Sequence, residues 1–250
     1  MYMSRILVQD LSIRFRAYHD NWPSLKDYLL KVLTLNFQST HTEFWALTRI
    51  SFEISPGDRV GIIGHNGAGK STLLKALCRI YDATEGHISV NGRVAPLLEI
   101  GCGFHPEFTG RENIYFNGAI LGYSKQALKN IEDEVIAFAE VEDFIDTPVK
   151  YYSTGMYMRL AFSLATAMHP DILILDEVFA GGDAAFLVKS KARMRSLIDK
   201  ANITIMVSHD HELIRTLCNR VLWLDHGELI ADGPPDEVLD QYLRTIASVS

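Results

Sequence analysis

Gly64-His65-Asn66-Gly67-Ala68-Gly69-Lys70-Ser71 follows the spacing G-x-x-x-x-G-K-[ST], with Thr72 next in line. That pattern can hold a chain of phosphates. Glycines permit positive backbone φ and close approach, so successive N–H groups can point into one concavity. A helix opening at the lysine adds positive partial charge at its N-terminus. Lys70 would reach the outer phosphates, and the Ser71 hydroxyl would ligate Mg²⁺. With glycine at about 7% of residues, such a match arises by chance in roughly one chain in a hundred of this length.

A second acidic group lies downstream. Asp171-Ile172-Leu173-Ile174-Leu175-Asp176-Glu177 is an apolar run that ends in two carboxylates. A buried strand of this kind delivers both acids to the C-terminal edge of an open α/β sheet, where ligands bind. Asp176 would hold Mg²⁺ through water. Glu177 would orient or deprotonate the attacking water. Phosphoryl transfer needs charge neutralisation and an in-line nucleophile, and this pair supplies both. His209 follows the apolar run Ile203 to Val207 and should emerge at the same edge, within reach of a γ-phosphate.

These residues need a scaffold, and the hydrophobic pattern predicts one. Ile6 to Phe15 reads as a strand. Ile50 to Ile54 and Arg59 to Ile63 are two more, separated by the turn Ser55-Pro56-Gly57-Asp58. A helix is predicted from Lys70 to about Ile80. His87 to Val90 and Val94 to Leu98 read as a hairpin around Asn91-Gly92. Thr109-x-x-Glu112 is a capping box. Ser124 opens a helix that aligns Leu128, Ile131, Val135 and Phe138. Another helix begins near Thr154. Ile172 to Leu175, Ile203 to Val207 and Val221 to Leu224 are short apolar strands, as in a parallel sheet covered on both faces. A last helix from about Pro235 puts Val238, Leu239, Tyr242, Leu243 and Ile246 on one side. The expected class is α/β, with a helical insertion over about residues 100–165.

Ser24 to Leu35 stands apart. Leu25, Tyr28, Leu29, Val32 and Leu33 form the stripe of an amphipathic helix. Either it docks on its own domain, or it faces a partner or a membrane surface.

The bulk numbers narrow the class. The chain has 250 residues and a formal net charge of −7, so its overall charge does not favour nucleic acid. Cys78, Cys102 and Cys218 show no C-x-x-C spacing, which argues against a disulfide framework and fits a reducing cytoplasm. No signal peptide and no run of apolar residues long enough to span a membrane is expected.

Together these motifs resemble the ATP-binding-cassette (ABC) family of P-loop NTPases over nearly the whole chain. The resemblance implies a single nucleotide-binding domain over residues 1–250. It would have a mixed, largely parallel sheet core, an antiparallel β portion and a helical subdomain. It also implies a signature motif, matched by Ser153-Thr154-Gly155-Met156 where the common form is S-G-G-Q. A serine hydroxyl and backbone N–H groups at a helix N-terminus still make an anion site. In the family that site faces the γ-phosphate on a second copy, so ATP is sandwiched between two chains. Asp183 resembles the residue of the family's D-loop, and Arg159 the arginine of its signature helix.

Two departures stand out. The family's glutamine at the entry to the helical insertion is missing, and Glu99 is the candidate Mg²⁺ ligand there. The adenine-stacking aromatic is open among Phe15, Tyr18 and Trp45. The stretches Leu97 to Tyr115 and Tyr152 to Met156, with Ser24 to Leu30 upstream, resemble one branch, the ATPases that export lipid-linked polysaccharides such as O-antigen and teichoic acid. That implies a peripheral ATPase on the cytoplasmic face of the inner membrane, under two integral membrane subunits. The last predicted helix ends near Ser250, so no C-terminal glycan-binding domain is expected.

Overall fold

The computed structural model describes residues 4–18, 41–97, 101–176 and 184–249. The predicted helix 24–35 and the candidate residues Glu99, Glu177 and Asp183 lie outside them. In chain order the elements are β1 (Arg5–Tyr18), β2 (His41–Ile54), β3 (Arg59–Ile63), α1 (Lys70–Leu77), β4 (Glu85–Asn91) and β5 (Val94–Leu97). Then come α2 (Gly110–Ile120), α3 (Lys125–Ala139), α4 (Thr154–Thr166), β6 (Ile172–Asp176) and α5 (Ala184–Lys200). β7 (Ile203–Val207), α6 (His211–Leu217), β8 (Arg220–Asp225), β9 (Glu228–Gly233) and α7 (Pro235–Val249) complete the series.

Two sheets share the strands. The larger runs β5-β6-β7-β3-β8-β9, and every pairing is parallel except β8 with β9. All five residues of β7 are buried, as expected where helices cover both faces of a sheet. The smaller sheet, β2-β1-β4, is antiparallel. β1 and β2 run further than predicted, to Tyr18 and from His41. Their ladder is interrupted where Asp10 and Arg49 take φ of 46° and 48°. Hydroxyls across the ladder satisfy those backbone groups: Asp10 N–H donates to Ser51 Oγ at 2.8 Å and Arg49 N–H to Ser12 Oγ at 3.0 Å. The fold is α/β, as the residue pattern predicts, with the antiparallel portion that the resemblance implies.

The helical stretch has its own core. Phe104, Ile114, Leu128, Val135, Val149 and Leu160 pack in one cluster. Each such side chain, once fully buried, contributes on the order of 1.5–3 kcal/mol. The predicted caps are present. Thr109 Oγ1 accepts from Glu112 N–H at 3.1 Å while Glu112 Oε2 accepts from Thr109 N–H at 2.9 Å. Ser124 Oγ accepts from Ala127 N–H at 3.2 Å.

One expectation is corrected. Asn91-Gly92 does not close a hairpin: β4 pairs antiparallel with β1, while β5 pairs parallel with β6 in the other sheet. Gly92 takes the positive φ that its type suggests, 122°, but turns the chain from one sheet into the other. Asp171 holds that crossing, accepting from Arg93 N–H through Oδ2 at 2.8 Å. In the last helix only part of the stripe is core. Val238, Leu239 and Tyr242 are buried, but Leu243 and Ile246 are 41% and 44% exposed. Helices α5 and α6 and strand β9 were not among the predicted elements.

Candidate functional site

Strand order builds the site. β7 lies between β6 and β3, and its Val207 pairs with Ile62 on one side and Asp176 on the other. The loops after β3 and β7 and the end of β6 therefore open at one edge. A cleft of about 650 Å³ lies there. It is lined by Phe15, Asn66, Gly67, Gly69, Lys70, Ser71, Thr72, Asp176 and His209 among the residues singled out from sequence.

The glycine-rich loop is shaped by contacts behind it. Gly64 has φ 147°, and a Cβ there would sit 2.1 Å from the Leu224 carbonyl oxygen. Ala68 is fully buried, and its carbonyl accepts from Gly227 N–H at 3.1 Å. Gly69 caps α1, which is pinned to the core by Leu73, Leu74 and Leu77. Lys70 Nζ donates to the carbonyls of Gly64 at 2.7 Å and His65 at 2.9 Å, so its charge lies across the loop it belongs to. His65 is not part of the cleft lining. Its Nε2 lies 2.9 Å from Asp225 Oδ1, at the β8–β9 turn.

Several lining residues were not predicted: Phe44, Ala46, Val207, His226 and Gly227. Phe44 and Ala46 were missed because the first half of β2 was not read as strand. In fact β2 faces β1 with Phe15 opposite Phe44. The His226-Gly227 pair between two strands was the available signal for the turn. Of the three candidate aromatics, Phe15 is packed at 5.7 Å from the Phe44 ring and 5.1 Å from the Tyr81 ring. Trp45 lines the same cleft, 43% exposed, with the Arg14 guanidinium 5.2 Å from its centroid. Tyr18 ends β1, and its side chain is outside the description.

Ser153 lies elsewhere. It caps α4, its Oγ accepting from Met156 N–H at 3.2 Å. Ser153, Thr154 and Gly155 are exposed, and none of residues 153–156 lines the cleft of their own chain. Just before the cap, burial pushes the Tyr152 phenol up to about 12, and its O–H donates to the Phe144 carbonyl at 2.8 Å. Arg159, nearly two turns on, pairs with Glu140 at 3.1 Å. Burial also raises the Tyr157 phenol, which donates to the Gly101 carbonyl at 2.7 Å and ties α4 to the loop entering the helical stretch.

The cleft thus gathers a lysine ammonium, a hydroxyl, a carboxylate and an imidazole around backbone N–H groups. Ser71 and Asp176 offer oxygen donors only, the set preferred by a hard cation such as Mg²⁺.

Comparison with known proteins points the same way. The profile of the ABC transporter family matches residues 47–180. The chain is 43% identical over 248 residues to the O-antigen export system ATP-binding protein RfbB of Myxococcus xanthus, covering 98% of this chain and 57% of that protein. It is 42% identical to O-antigen export protein RfbE of Yersinia enterocolitica, over 90% of this chain and 96% of that one. A teichoic acids export protein, TagH of Lactococcus lactis, is also 42% identical, with 82% of this chain and 44% of that protein aligned. A solved ATP-binding subunit of an ABC transporter superposes with a TM-score of 0.69 at 22% identity, covering 95% of this chain and 92% of that one.

Proposed function

Since this chain belongs to the ABC transporter family and is one of its ATPases, we propose that two copies close on two ATP molecules and energise export of a lipid-linked polysaccharide. The observation that carries the dimeric reading is the position of Ser153. It presents its capped helix N-terminus to solvent, outside its own cleft, where this second anion site can meet the phosphates bound on another copy.

In this reading the loop N–H groups and Lys70 take the β- and γ-phosphates. Ser71 and Asp176 are the residues that would hold Mg²⁺, which when bound supplies charge neutralisation at the phosphate oxygens. His209 contacts the γ-phosphate, and Glu177 orients the attacking water. Ser153, Thr154, Gly155 and Met156 of the second copy, with its Asp183, close the opposite side. Glu99 sits where the family's glutamine would be and serves as a further metal or water ligand. We read residues 1–250 as one nucleotide-binding domain with a helical subdomain over about 100–165.

The cargo reading is supported by the relatives named for O-antigen and teichoic acid export. Among the described residues no helix is long and apolar enough to cross a membrane. We therefore infer two separate membrane subunits, with this chain at their cytoplasmic side. Lys70→Ala in the native host tests the cargo: long-chain glycan should accumulate inside on its lipid carrier. Surface glycans unchanged by an inactive variant, with no redundant transporter, would sink the export reading. Glu177→Gln in the purified chain tests the chemistry: it should bind ATP, form dimers and fail to turn over. A variant that turns over normally would remove Glu177 from the mechanism.

A further inference from the structure

We propose that His65, Asp225 and His226 form a binding site for one transition-metal ion of the Zn²⁺ class, distinct from the Mg²⁺ position and outside the reading of ATP hydrolysis above. The ligand atoms of these three residues lie within 4.8 Å of one another. His65 Nε2 is 2.9 Å from Asp225 Oδ1, and the two imidazole rings are 4.7 Å apart. Two imidazoles and a carboxylate are three ligands of the kind that open zinc sites use, with a fourth position left for solvent.

The second observation is the other nitrogen of His65. Nδ1 lies 2.6 Å from the Asn66 carbonyl oxygen, which can only accept. Nδ1 must therefore carry the proton and donate. A neutral ring then has its lone pair on Nε2, directed at a carboxylate oxygen that also only accepts. Two lone pairs at this distance repel unless a positive centre lies with them. A second proton would do it, and so would a metal ion. An imidazole that donates its remote N–H to a backbone carbonyl has the orientation that metal-bound histidines use. Zinc bonds of ~2.0–2.2 Å at a tetrahedral angle would hold that nitrogen and oxygen about 3.3 Å apart. That pair need spread only a few tenths of an ångström, and the His226 nitrogen, within 4.8 Å of both, closes the triad by turning its exposed ring toward them.

The backbone already fixes the three residues. His226 and Gly227 form the two-residue turn between β8 and β9, with φ of 46° and 81° and Asp225 paired to Glu228. Gly227 N–H donates to Ala68 in the glycine-rich loop at 3.1 Å, and Thr48 N–H donates to Gly227 at 2.8 Å. An ion here would staple the second residue of the phosphate loop to the β8–β9 turn. Nitrogen ligands and the order of divalent affinities favour zinc, copper or nickel over Mg²⁺.

Co²⁺, added to the full-length protein free of nucleotide and Mg²⁺, reports the site by its visible ligand-field absorption. One equivalent should produce the band, and millimolar Mg²⁺ should leave it in place. Zn²⁺ should displace the cobalt and, at a hundredfold over its Kd, raise Tm by about 5–11 °C. His226→Asn keeps a residue suited to the left-handed backbone and removes the imidazole; Asp225→Asn removes the carboxylate. Each should weaken metal binding by about a hundredfold, since loss even of an outer partner costs 10–100-fold. Cys102→Ser and His105→Ala should bind as the parent does. No band, a band removed by Mg²⁺, a band lost in Cys102→Ser or His105→Ala, or one unchanged in both site variants would overturn the proposal and leave His65 paired with Asp225 alone.

Discussion

Adding one methyl group to the phosphate loop should have opposite tolerances at two glycines. At Gly67 the backbone φ is 85°, and a Cβ would meet nothing within 4 Å. Gly67→Ala then costs only the left-handed backbone, about 1–2 kcal/mol. A stiffer unfolded chain offsets roughly 0.4–1 kcal/mol of that. At Gly64 the φ is 147°, and the new Cβ would lie 2.1 Å from the Leu224 carbonyl oxygen on β8. Backbone strain there is of order 1–3 kcal/mol. Moving loop or strand apart adds about 1–3 kcal/mol more. At about 2–4 °C per kcal/mol for a domain of this size, and with the same unfolded-chain offset at both sites, Gly67→Ala should lower Tm by at most roughly 6 °C, while Gly64→Ala should lower it by about 2–22 °C. Thermal melts of both purified variants, nucleotide-free, give the ordering, and titration with a fluorescent ATP analogue should rank them the same way. If Gly64→Ala melts at or above Gly67→Ala, the close approach of the loop to β8 is not what requires glycine there.

Other expectations follow from the same geometry. Glu140 ends α3 at φ 56° and accepts from both Arg159 and Lys189. Glu140→Ala should lose about 1 kcal/mol, or 2–4 °C in Tm. Glu140→Gly recovers part of this by relieving the left-handed backbone, and equal melts for the two would refute that account. Burial pushes the thiols of Cys78 and Cys218 up to about 12, against 9.0 unperturbed. A thiol reagent should modify exposed Cys102 first in the native protein and the other two only on unfolding. Because the unfolded chain loses those protons first, each buried thiol's contribution is complete below pH 9.0 and is lost as pH rises toward 12. Tm should therefore fall across that window, less steeply in Cys78→Ala. If the exposed Trp45 stacks on the base, Trp45→Ala should weaken ATP binding by about 1–3 kcal/mol, with Phe15→Ala weaker in effect. Equal losses would place the base on neither ring alone.

Much of the site was legible because its rules are local. The spacing from Gly64 to Ser71 encodes a loop and a helix start within a few residues, and the lysine and hydroxyl then fall where one turn of helix must put them. The capping residues Thr109, Ser124 and Ser153 are likewise local, each accepting from the backbone N–H three residues on. The buried run Ile172–Leu175 announces a strand covered on both faces and so carries Asp176 to a sheet edge. What no local rule contains is the choice of partner. Asn91-Gly92 specifies a positive φ, but hydrogen bonding to β1 and β6 decided that the flanking strands belong to different sheets. Phe44 and Trp45 entered the cleft because β2 pairs with β1 beyond the predicted length. His226 meets His65 across 161 positions of sequence because β8 lies beside β3. Backbone propensities act over a few residues. Sheet order comes from burying both faces at once, and only the folded chain fixes which side chains that brings together.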